Sequence, residues 1–534
     1  MDSQIDPASA RKRITGILRR PLLCAVFSGL LLALAFPSHP HHPLAFLYGN
    51  WWAWIALVPL LIAVAATNRL ARGFWLGAAA GFVFYLLSLY WIGNTQGGGA
   101  AVVAGAALGA AWLSLFTGAF AAAQVLVLRP FGRIGLLAAP VLWTAMEYLQ
   151  SMGELGFPWL LLAHSQSAMP VLLQLATFAG AYGVSFAIVS TSAVLAMALQ
   201  RDTDTRRWVV ASLAVPTCVA AYGLAIMEPE RTDGVRVALV QNNMGLEKWR
   251  AGGLERSFAS LSALSHHAAE DYPDLLVWPE TAIPCNLSWR QDCKTRLLSL
   301  SKTLNTPILT GAPDTDAETR EPYNSAFLFQ PEKGPDSPLL SYAKMHLVPF
   351  GERTPWRDSL PLLGDIDWSV LTGDLGPAEF LPGTQRTLFP VATGTDTSRF
   401  ALLICFESVF PGLVRQSVDV GADFLVIITN DSWFGATAGP FQHAGIAALR
   451  AVENRTGIAR CATNGVTLFI DRFGRSRMQT EFGTAAVRIS TIAPRQSATF
   501  YTRFGDLFAG ATLTLSILLL LAAPPWATRQ RRRT

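Results

Sequence analysis

The chain has 534 residues, of which 51% are hydrophobic and only 15% are charged. This composition excludes a wholly soluble protein with one ordinary core, and it predicts membrane segments. The formal net charge of +5 does not indicate a nucleic-acid partner, because the Lys and Arg residues form short clusters between apolar segments rather than one extended stripe.

Apolar segments fill most of the first 227 residues, and one more lies near the carboxyl terminus. A helix needs about 20 apolar residues to cross the hydrocarbon core of a bilayer, which predicts about eight spans here. The predicted spans are 21–36, 44–66, 73–92, 100–128, 134–150, 170–200, 208–226 and 507–524. Gly77 with Gly81, and Gly105 with Gly109, have a spacing that favours close helix packing within such a bundle.

The distribution of basic residues predicts the orientation of these spans, because Lys and Arg accumulate in cytoplasmic loops. Basic clusters lie before the first span, after the last span and in alternate loops, at 11–20, 69–72, 129–133, 201–207 and 529–533. The intervening loops 38–43, 94–99 and 151–169 contain neither Lys nor Arg. We therefore expect both termini in the cytoplasm and residues 228–506 outside.

Short apolar runs that are typical of strands begin at residue 235, and helical stretches such as 252–270 and 440–453 separate several of them. The runs are 235–241, 274–280, 306–312, 325–330, 399–407 and 422–431. Strands that are apolar on both faces predict an α/β fold whose sheet is covered on both sides. The chain thus divides into a transmembrane bundle at 1–227, an α/β domain at 228–506, and a final transmembrane helix with a basic tail at 507–534.

Three strand ends carry residues that together suit nucleophilic catalysis: Glu280, Lys344 and Cys405. Glu280 would be the general base that takes the Cys405 proton and later returns it to a leaving group. Lys344 and the backbone N–H of Phe406 would stabilise an oxyanion. Each residue alone is more often a packed thiol or a solvated charge, and it is their order and local context that favour one site.

The six cysteines show neither a CxxC pair nor zinc-ligand spacing, so we expect no metal site and no cofactor. Cys285 and Cys293 lie eight residues apart. That spacing leaves two alternatives open, a disulfide in an oxidising compartment or two unpaired thiols.

The motifs around the three strand ends resemble the nitrilase, or carbon–nitrogen hydrolase, superfamily, whose catalytic triad is Glu-Lys-Cys. They are WPE ending at Glu280, KMHLVPFGE from Lys344 to Glu352, CFE from Cys405 to Glu407, and NDSWFG at 430–435. The resemblance implies an α-β-β-α sandwich. It also implies that Glu352 helps to orient Lys344, and that Glu407 is the acidic residue that follows the nucleophile.

Within that superfamily, a domain of this type between many amino-terminal spans and one carboxyl-terminal span is similar to the apolipoprotein N-acyltransferase family. Glu147 in MEYLQ, GFPW at 156–159 and SQ at 165–166 extend the resemblance. The family often has Tyr where this chain has Phe406, so a role for a phenol hydroxyl there is in doubt.

That resemblance implies a ping-pong reaction in the bacterial inner membrane, with the catalytic domain in the periplasm. A phospholipid, typically phosphatidylethanolamine, would acylate Cys405, and the thioester would acylate the amino-terminal amine of a diacylglyceryl-modified apolipoprotein. Trp249, Trp433 and Glu147 would contact the substrates, and we expect the enzyme to act as a monomer. The segment 345–380, rich in Pro, Gly, Trp and Leu, is expected to form a mobile arm at the bilayer surface.

Other functions remain to be separated from this one. A membrane-tethered amidase would use the same triad with water as the second nucleophile, and it would release ammonia from a small amide. A transporter would need ionisable residues inside its spans, which contain little beyond Glu147. A catalytically inactive binding module is disfavoured because all three triad residues are present.

Overall fold

The computed structural model describes residues 20–95, 98–200, 205–316, 318–360, 379–394 and 396–531. These residues form two compact units. The first unit contains the described residues of 1–90, 104–226 and 506–534, and the second contains those of 91–103 and 227–505. Residues 91–103 therefore group with the second unit, although they lie within the amino-terminal apolar block.

The first unit is helical. Its amino-terminal helices are α1 (Pro21–Leu34), α2 (Ala53–Ala56), α3 (Val58–Ala65), α4 (Leu70–Ser88), α5 (Gly99–Phe131, which begins in the second unit), α6 (Ala139–Gln150), α7 (Pro170–Leu173), α8 (Ala176–Leu199) and α9 (Thr205–Ile226). A carboxyl-terminal helix, Leu507–Arg531, completes the unit.

Several of these helices fit a membrane protein, but the predicted number of eight spans is not confirmed. Among the described residues, the helical stretches Leu70–Ser88, Gly99–Gln150, Ala176–Leu199 and Arg207–Ile226 are long and apolar enough to cross a bilayer. The other apolar helices, Pro21–Leu34, Asn50–Ala65 and Leu507–Ala523, are shorter. An apolar run in a sequence does not reveal where the backbone breaks, and Pro59 at the start of α3 interrupts the predicted span 44–66.

The prediction of close helix packing is confirmed at Gly77 and Gly81. A Cβ atom at Gly77 would lie 2.3 Å from the carbonyl oxygen of Thr117 in α5, and one at Gly81 would lie 2.6 Å from Oγ1 of the same residue. Glycine therefore allows α4 and α5 to approach closely. At Gly109, where no such atom lies within 4 Å, this explanation does not apply.

The second unit contains two six-stranded sheets. Its strands are β1 (Val235–Gln241), β2 (Leu275–Val277), β3 (Ile308–Thr315), β4 (Pro322–Phe329), β5 (Leu340–Ala343), β6 (Leu388–Thr393), β7 (Asp396–Ile404), β8 (Phe424–Thr429), β9 (Ile458–Ala462), β10 (Leu468–Ile470), β11 (Ser476–Arg477) and β12 (Ala486–Ile492). Its α-helices among the described residues are α10 (Gly253–Ala269), α11 (Gln291–Leu304), α12 (Pro411–Asp419), α13 (Gly439–Asn454) and α14 (Phe500–Phe504).

The two sheets have the same plan. The first has the order β12-β1-β2-β3-β4-β5, and its neighbours β1, β2 and β3 are parallel. The second has the order β11-β10-β9-β8-β7-β6, and its neighbours β7, β8 and β9 are parallel. The outer pairings are antiparallel. Parallel strands end at the same edge of their sheet, which is where α/β folds form their sites.

Apolar layers hold this unit together. Leu239 and Val277 of the first sheet and Leu402 and Ile428 of the second belong to one buried core between the sheets. The other face of the first sheet packs on α10 and α11, and the second sheet contacts α12 and α13. The predicted α-β-β-α sandwich is thus confirmed, since each sheet buries both faces.

Two further points from the sequence bear on this unit. Cys285 and Cys293 form a disulfide, which decides between the two alternatives left open. Of the predicted arm at 345–380, residues 361–378 lie outside the described residues.

Candidate active site

The structure brings together the three predicted strand-end residues of the second unit. Glu280 follows β2, Lys344 follows β5, and Cys405 follows β7. All three are buried, with exposed fractions of 5%, 1% and 8%. Nζ of Lys344 lies 3.7 Å from Oε1 of Glu280, and the charges of both residues act on the Cys405 thiol. The two sheets therefore contribute to one cluster of a carboxylate, an ammonium and a thiol.

The Glu280 carboxylate is oriented by two donors. The Asn324 side-chain amide donates to Oε1 at 2.7 Å, and the backbone N–H of Asn430 donates to Oε2 at 2.7 Å. Strand β3 passes so close that a Cβ atom at Gly311 would lie 2.8 Å from the Glu280 Cα atom. With one donor on each oxygen, the carboxylate keeps lone pairs that can accept a proton.

Lys344 is held as a buried cation. Its Nζ atom lies 2.9 Å from Oε1 of Glu352, whose Oε2 accepts the backbone N–H of Val348 at 2.9 Å. Burial alone would lower the pKa of Lys344, but the carboxylates of Glu352 and Glu280 outweigh burial and raise it above its usual value. The ammonium is therefore charged throughout the physiological pH range, and Glu352 contacts it directly, while the orienting role expected for Glu352 remains a prediction.

Cys405 occupies a sharp turn between β7 and the 3₁₀ helix Cys405–Val409. Its φ angle of +54° lies in the left-handed region, which is costly for a residue with a Cβ atom. Burial, followed by the negative charge of Glu280, raises the pKa of the thiol to about 12, although Lys344 and a hydrogen bond with Thr429 oppose this. The resting group is thus a thiol, which needs a base in order to become a nucleophile.

Glu407 supports the turn that carries Cys405. Its Oε1 atom accepts hydrogen bonds from Tyr342 Oη at 2.7 Å, Met345 N at 2.6 Å and His346 N at 3.2 Å. Its Oε2 atom accepts from Ile404 N at 2.7 Å. These bonds connect the end of β7 with the loop that follows β5, so Glu407 fixes the position of Cys405 relative to Lys344.

The remaining predicted residues lie in different surroundings. Trp249 ends the 3₁₀ helix Leu246–Trp249 and is half exposed, Trp433 is partly buried in the 3₁₀ helix Asp431–Phe434, and Phe406 is buried. Glu147 lies in the first unit, where it accepts hydrogen bonds from Trp143 Nε1 at 2.9 Å and Leu162 N at 2.7 Å. The substrate contacts predicted for Trp249, Trp433 and Glu147 remain predictions.

Sequence reasoning missed several residues around Glu280. Asn324 lies within β4, in a run that otherwise looks like an ordinary strand. Lys248 is fully buried, and its Nζ atom lies 2.9 Å from Oγ1 of Thr281. Asn430 was within the NDSWFG motif, which was the one available signal. Among the described residues, no group of three or more His, Cys, Asp or Glu residues is placed to hold a metal ion.

Comparisons with known proteins cover both units. The family model "Apolipoprotein N-acyltransferase N-terminal domain" matches residues 28–194, and the model "Carbon-nitrogen hydrolase" matches residues 236–493. The chain is 35% identical to an apolipoprotein N-acyltransferase of Geobacter metallireducens, over 93% of this chain and 94% of the relative. It is 32% identical to one of Chlorobaculum tepidum, over 98% and 99% of the two chains.

Among solved structures, a mutant of the nitrilase-superfamily amidase from Nesterenkonia AN1 aligns with a TM-score of 0.38 at 17% identity. This alignment covers 53% of the present chain and 98% of the amidase.

Proposed function

This chain belongs to the apolipoprotein N-acyltransferase family, and we propose that it transfers an acyl chain from a membrane phospholipid to a lipoprotein through a thioester on Cys405. Membership makes the chain an N-acyltransferase. It also favours that activity over the amidase alternative, because residues 28–194 match this family's own amino-terminal domain. The observation that carries the proposed thioester is the grouping of Cys405 with Glu280 and Lys344.

In the first half-reaction, the Cys405 sulfur attacks the ester carbonyl of the phospholipid while Glu280 takes the thiol proton. This coupling suits a thiol whose pKa is about 12, because no standing thiolate is required. The Lys344 ammonium and the Phe406 N–H stabilise the oxyanion. The C–O bond then breaks, and Glu280 returns the proton to the departing oxygen. The products are a thioester on Cys405 and a lysophospholipid.

In the second half-reaction, the amino-terminal amine of a diacylglyceryl-modified cysteine attacks the thioester carbonyl. Glu280 takes a proton from the amine, and Lys344 and Phe406 again face the oxyanion. The C–S bond breaks, the new amide leaves with the acyl chain, and the sulfur recovers its proton through Glu280. The net change converts one ester and one amine into one amide and one alcohol, and the enzyme returns to its starting state.

The apolar helices give this reaction a physical reason to occur at a membrane. Exposing an acyl chain to water costs about 0.8 kcal/mol for each CH₂ group, so a phospholipid does not leave the bilayer to reach a distant site. The alternation of basic loops supports the bacterial inner membrane with both termini in the cytoplasm. The Cys285–Cys293 disulfide supports a periplasmic position for the catalytic unit, because disulfides persist in oxidising compartments.

We assign the substrate contacts to residues near the catalytic cluster and in the bundle. Trp249 follows Lys248, whose Nζ atom binds Thr281 next to Glu280. Because the Trp249 ring is half exposed at this position, it suits contact with an apolar chain. Trp433 shares its 3₁₀ helix with Asp431, directly after the Asn430 N–H that binds Glu280. Glu147 is the substrate contact proposed for the first unit. The proposed acting form is a monomer.

The test is a two-step mass measurement on the detergent-solubilised full chain. Incubation with phosphatidylethanolamine should add a fatty acyl mass to the Cys405 peptide, release lysophosphatidylethanolamine, and leave an adduct that hydroxylamine removes. A synthetic diacylglyceryl-cysteine lipopeptide should then take up the acyl group at its amine. Cys405→Ala is the control for the adduct. A folded wild-type protein that forms no adduct and releases no lysophospholipid would overturn the phospholipid donor.

A further inference from the structure

A fully buried polar cluster lies beside the main chain of the nucleophile. Asp431 and Arg460 come from the second sheet's carboxyl edge and from β9, and His443 comes from α13. All three side chains are completely buried. Nη2 of Arg460 lies 3.2 Å from each carboxylate oxygen of Asp431 and 3.1 Å from Nδ1 of His443. A buried ion pair is costly to desolvate, so the Arg460–Asp431 pair needs further hydrogen bonds to offset that cost. The hydrogen bond from Arg460 to His443 is one of them.

Arg460 determines which nitrogen of His443 carries the proton. A guanidinium has only N–H donors, and its Nη2 atom lies nearer to Nδ1, at 3.1 Å, than Oδ1 of Asp431, at 3.6 Å, so we assign Nδ1 as the acceptor and place the proton of the neutral ring on Nε2. Burial and the positive charge of Arg460 lower the pKa of His443, although Asp431 opposes them, and the ring is therefore neutral. His443 thus presents an N–H donor at Nε2.

That donor is directed at the peptide group next to the nucleophile. Nε2 of His443 lies 3.1 Å from the carbonyl oxygen of Cys405 and 2.9 Å from Oγ of Ser408. The Ser408 hydroxyl donates to the same carbonyl oxygen at 2.9 Å. Two buried side chains therefore converge on one backbone carbonyl, and Arg460 and Asp431 hold the first of them.

The carbonyl of Cys405 and the N–H of Phe406 belong to the same peptide group. Because the peptide bond is planar and conjugated, hydrogen bonds to the carbonyl fix the direction of the N–H. They also polarise the group, which makes the N–H a stronger donor in a buried site. The Phe406 N–H is the donor that the proposed function directs at the oxyanion.

We propose that His443 and Ser408 are positioning residues that orient and polarise the Cys405–Phe406 peptide, so that the Phe406 N–H stabilises the oxyanion in both half-reactions. The inference rests on the proposed function, because it assigns these residues to the same tetrahedral intermediates. Both side chains act through the peptide group and not on the substrate. Arg460 and Asp431 act one step further away, by holding His443 in its donating orientation.

The test compares three variants with a matched control. His443→Leu and Ser408→Ala each remove one donor from the Cys405 carbonyl, whereas His443→Gln retains a side-chain N–H donor. Ser301→Ala is the control, because Ser301 is also a fully buried serine and donates to the backbone carbonyls of Thr306 and Phe329. Single-turnover rates of lysophosphatidylethanolamine release and of lipopeptide acylation report the two half-reactions.

A second readout separates polarisation from general damage. Phosphatidylethanolamine with a ¹³C-labelled acyl carbonyl yields a labelled thioester whose infrared stretch reports its hydrogen bonding. We expect His443→Leu to slow both half-reactions roughly ten- to a hundredfold with an unchanged KM, less than the loss of a whole oxyanion donor. The thioester stretch should move to higher frequency. His443→Gln should restore most of the rate, Ser408→Ala should show a smaller change of the same kind, and Ser301→Ala should show none.

Each other outcome decides against the proposal. Wild-type rates and an unshifted stretch in folded His443→Leu and Ser408→Ala would overturn the inference and leave the proposed function standing. Equal losses in Ser408→Ala and Ser301→Ala would reduce the role to general stability. If His443→Leu does not fold, Ser408→Ala decides by the same two readouts. A wild-type protein that forms no thioester would remove the proposed function, and this inference with it.

Discussion

Glu280 and Glu407 are both buried glutamates that lie three residues beyond the end of a strand, one in each sheet, yet their surroundings differ. Glu280 follows β2, which has parallel neighbours on both sides, and Glu407 follows β7, which is parallel to β8 and antiparallel to β6. Glu280 has one donor on each oxygen and the Lys344 ammonium at 3.7 Å. Glu407 accepts four hydrogen bonds, three of them from backbone N–H groups. We call the group of Glu280, Lys344 and Glu352 the reactive pocket, and Glu407 with its four donors the support.

The difference indicates which surroundings suit a buried carboxylate to proton transfer and which suit it to holding the backbone in position. Burial raises the pKa of Glu407 to about 7, although hydrogen bonds from Ile404, Tyr342 and Met345 oppose this, and protonation there would disturb donors from the β5 loop and from β7 together. Glu280 has one donor on each oxygen and retains lone pairs that can accept the thiol proton and return it. Residue type and burial are shared, and the number of donors separates the two roles.

The largest expected effect comes from neutralising the reactive pocket. Glu280→Gln removes the proposed base, and we expect acylation of Cys405 to slow roughly a hundred- to ten-thousandfold. The fold should persist, because Oδ1 of Asn324 has no hydrogen-bond partner among the described residues. A flip of the Asn324 side-chain amide would let this oxygen accept from the glutamine N–H at position 280. Single-turnover lysophospholipid release measures the rate. A variant that acylates at more than a tenth of the wild-type rate would show that another group is the base.

Removing the cation should damage both rate and stability. Lys344→Met eliminates one proposed oxyanion partner, at a cost on the order of a hundred- to a thousandfold in rate. It also leaves Glu352 and Glu280 buried without their cation, which should destabilise the unit by about 3–5 kcal/mol. Adding Glu352→Gln should recover much of the thermal stability and none of the rate. Recovery of the rate in the double variant would contradict the assigned role of Lys344.

Substitution of Glu407 in the support should have the opposite balance of effects. It should lower the stability of the fold more than it lowers the reaction rate. Glu407→Gln keeps one acceptor oxygen but turns an N–H donor toward the N–H of Ile404, which should cost about 1–3 kcal/mol. We expect a lower midpoint of thermal unfolding and a rate loss much smaller than that of Glu280→Gln. If the two glutamine variants lost activity equally at unchanged stability, Glu407 would belong to the reactive pocket.

The sequence predicted several of the strands that the core buries on both faces, but it missed β9, in which Arg460 interrupts a short apolar run and every residue is buried. The run 235–241 coincides with β1, and 422–431 contains β8. The run 399–407 contains the end of β7, which stops at Ile404 because Cys405 adopts a positive φ angle. The short edge strand β11, Ser476–Arg477, was missed because its polar residues give no apolar pattern.

The site divides in the same way between local and distant information. Glu280, Lys344 and Cys405 were found because each lies in a recognisable local motif. Asn324 and His443 were missed because their importance comes from partners far away in the chain, at Glu280 and Cys405. No spacing rule in a single sequence reports such a meeting. The number of spans is not confirmed for a related reason, since hydropathy reports apolar content and not breaks in the helix.

The smallest expected effect concerns the Cys405 thiol. The charges of the reactive pocket act on this thiol, and the support holds the turn that carries it. A pKa of about 12 leaves Cys405 protonated at neutral pH, and the thiolate fraction grows tenfold for each unit of rising pH below that value. Alkylation of the Cys405 peptide by iodoacetamide, followed by mass, should therefore rise from pH 6 to pH 9 without a plateau.

Glu280→Gln sharpens this measurement, because the Glu280 charge opposes the thiolate and its removal lowers the pKa of Cys405. The variant should thus be alkylated faster than wild type at each pH while its turnover falls. Glu407→Gln removes a charge that is not among the causes of the Cys405 shift, and it should leave the alkylation profile in place. A plateau below pH 9 in the wild type would instead mean that Lys344 holds a resting thiolate, and Glu280 would then have no thiol proton to take.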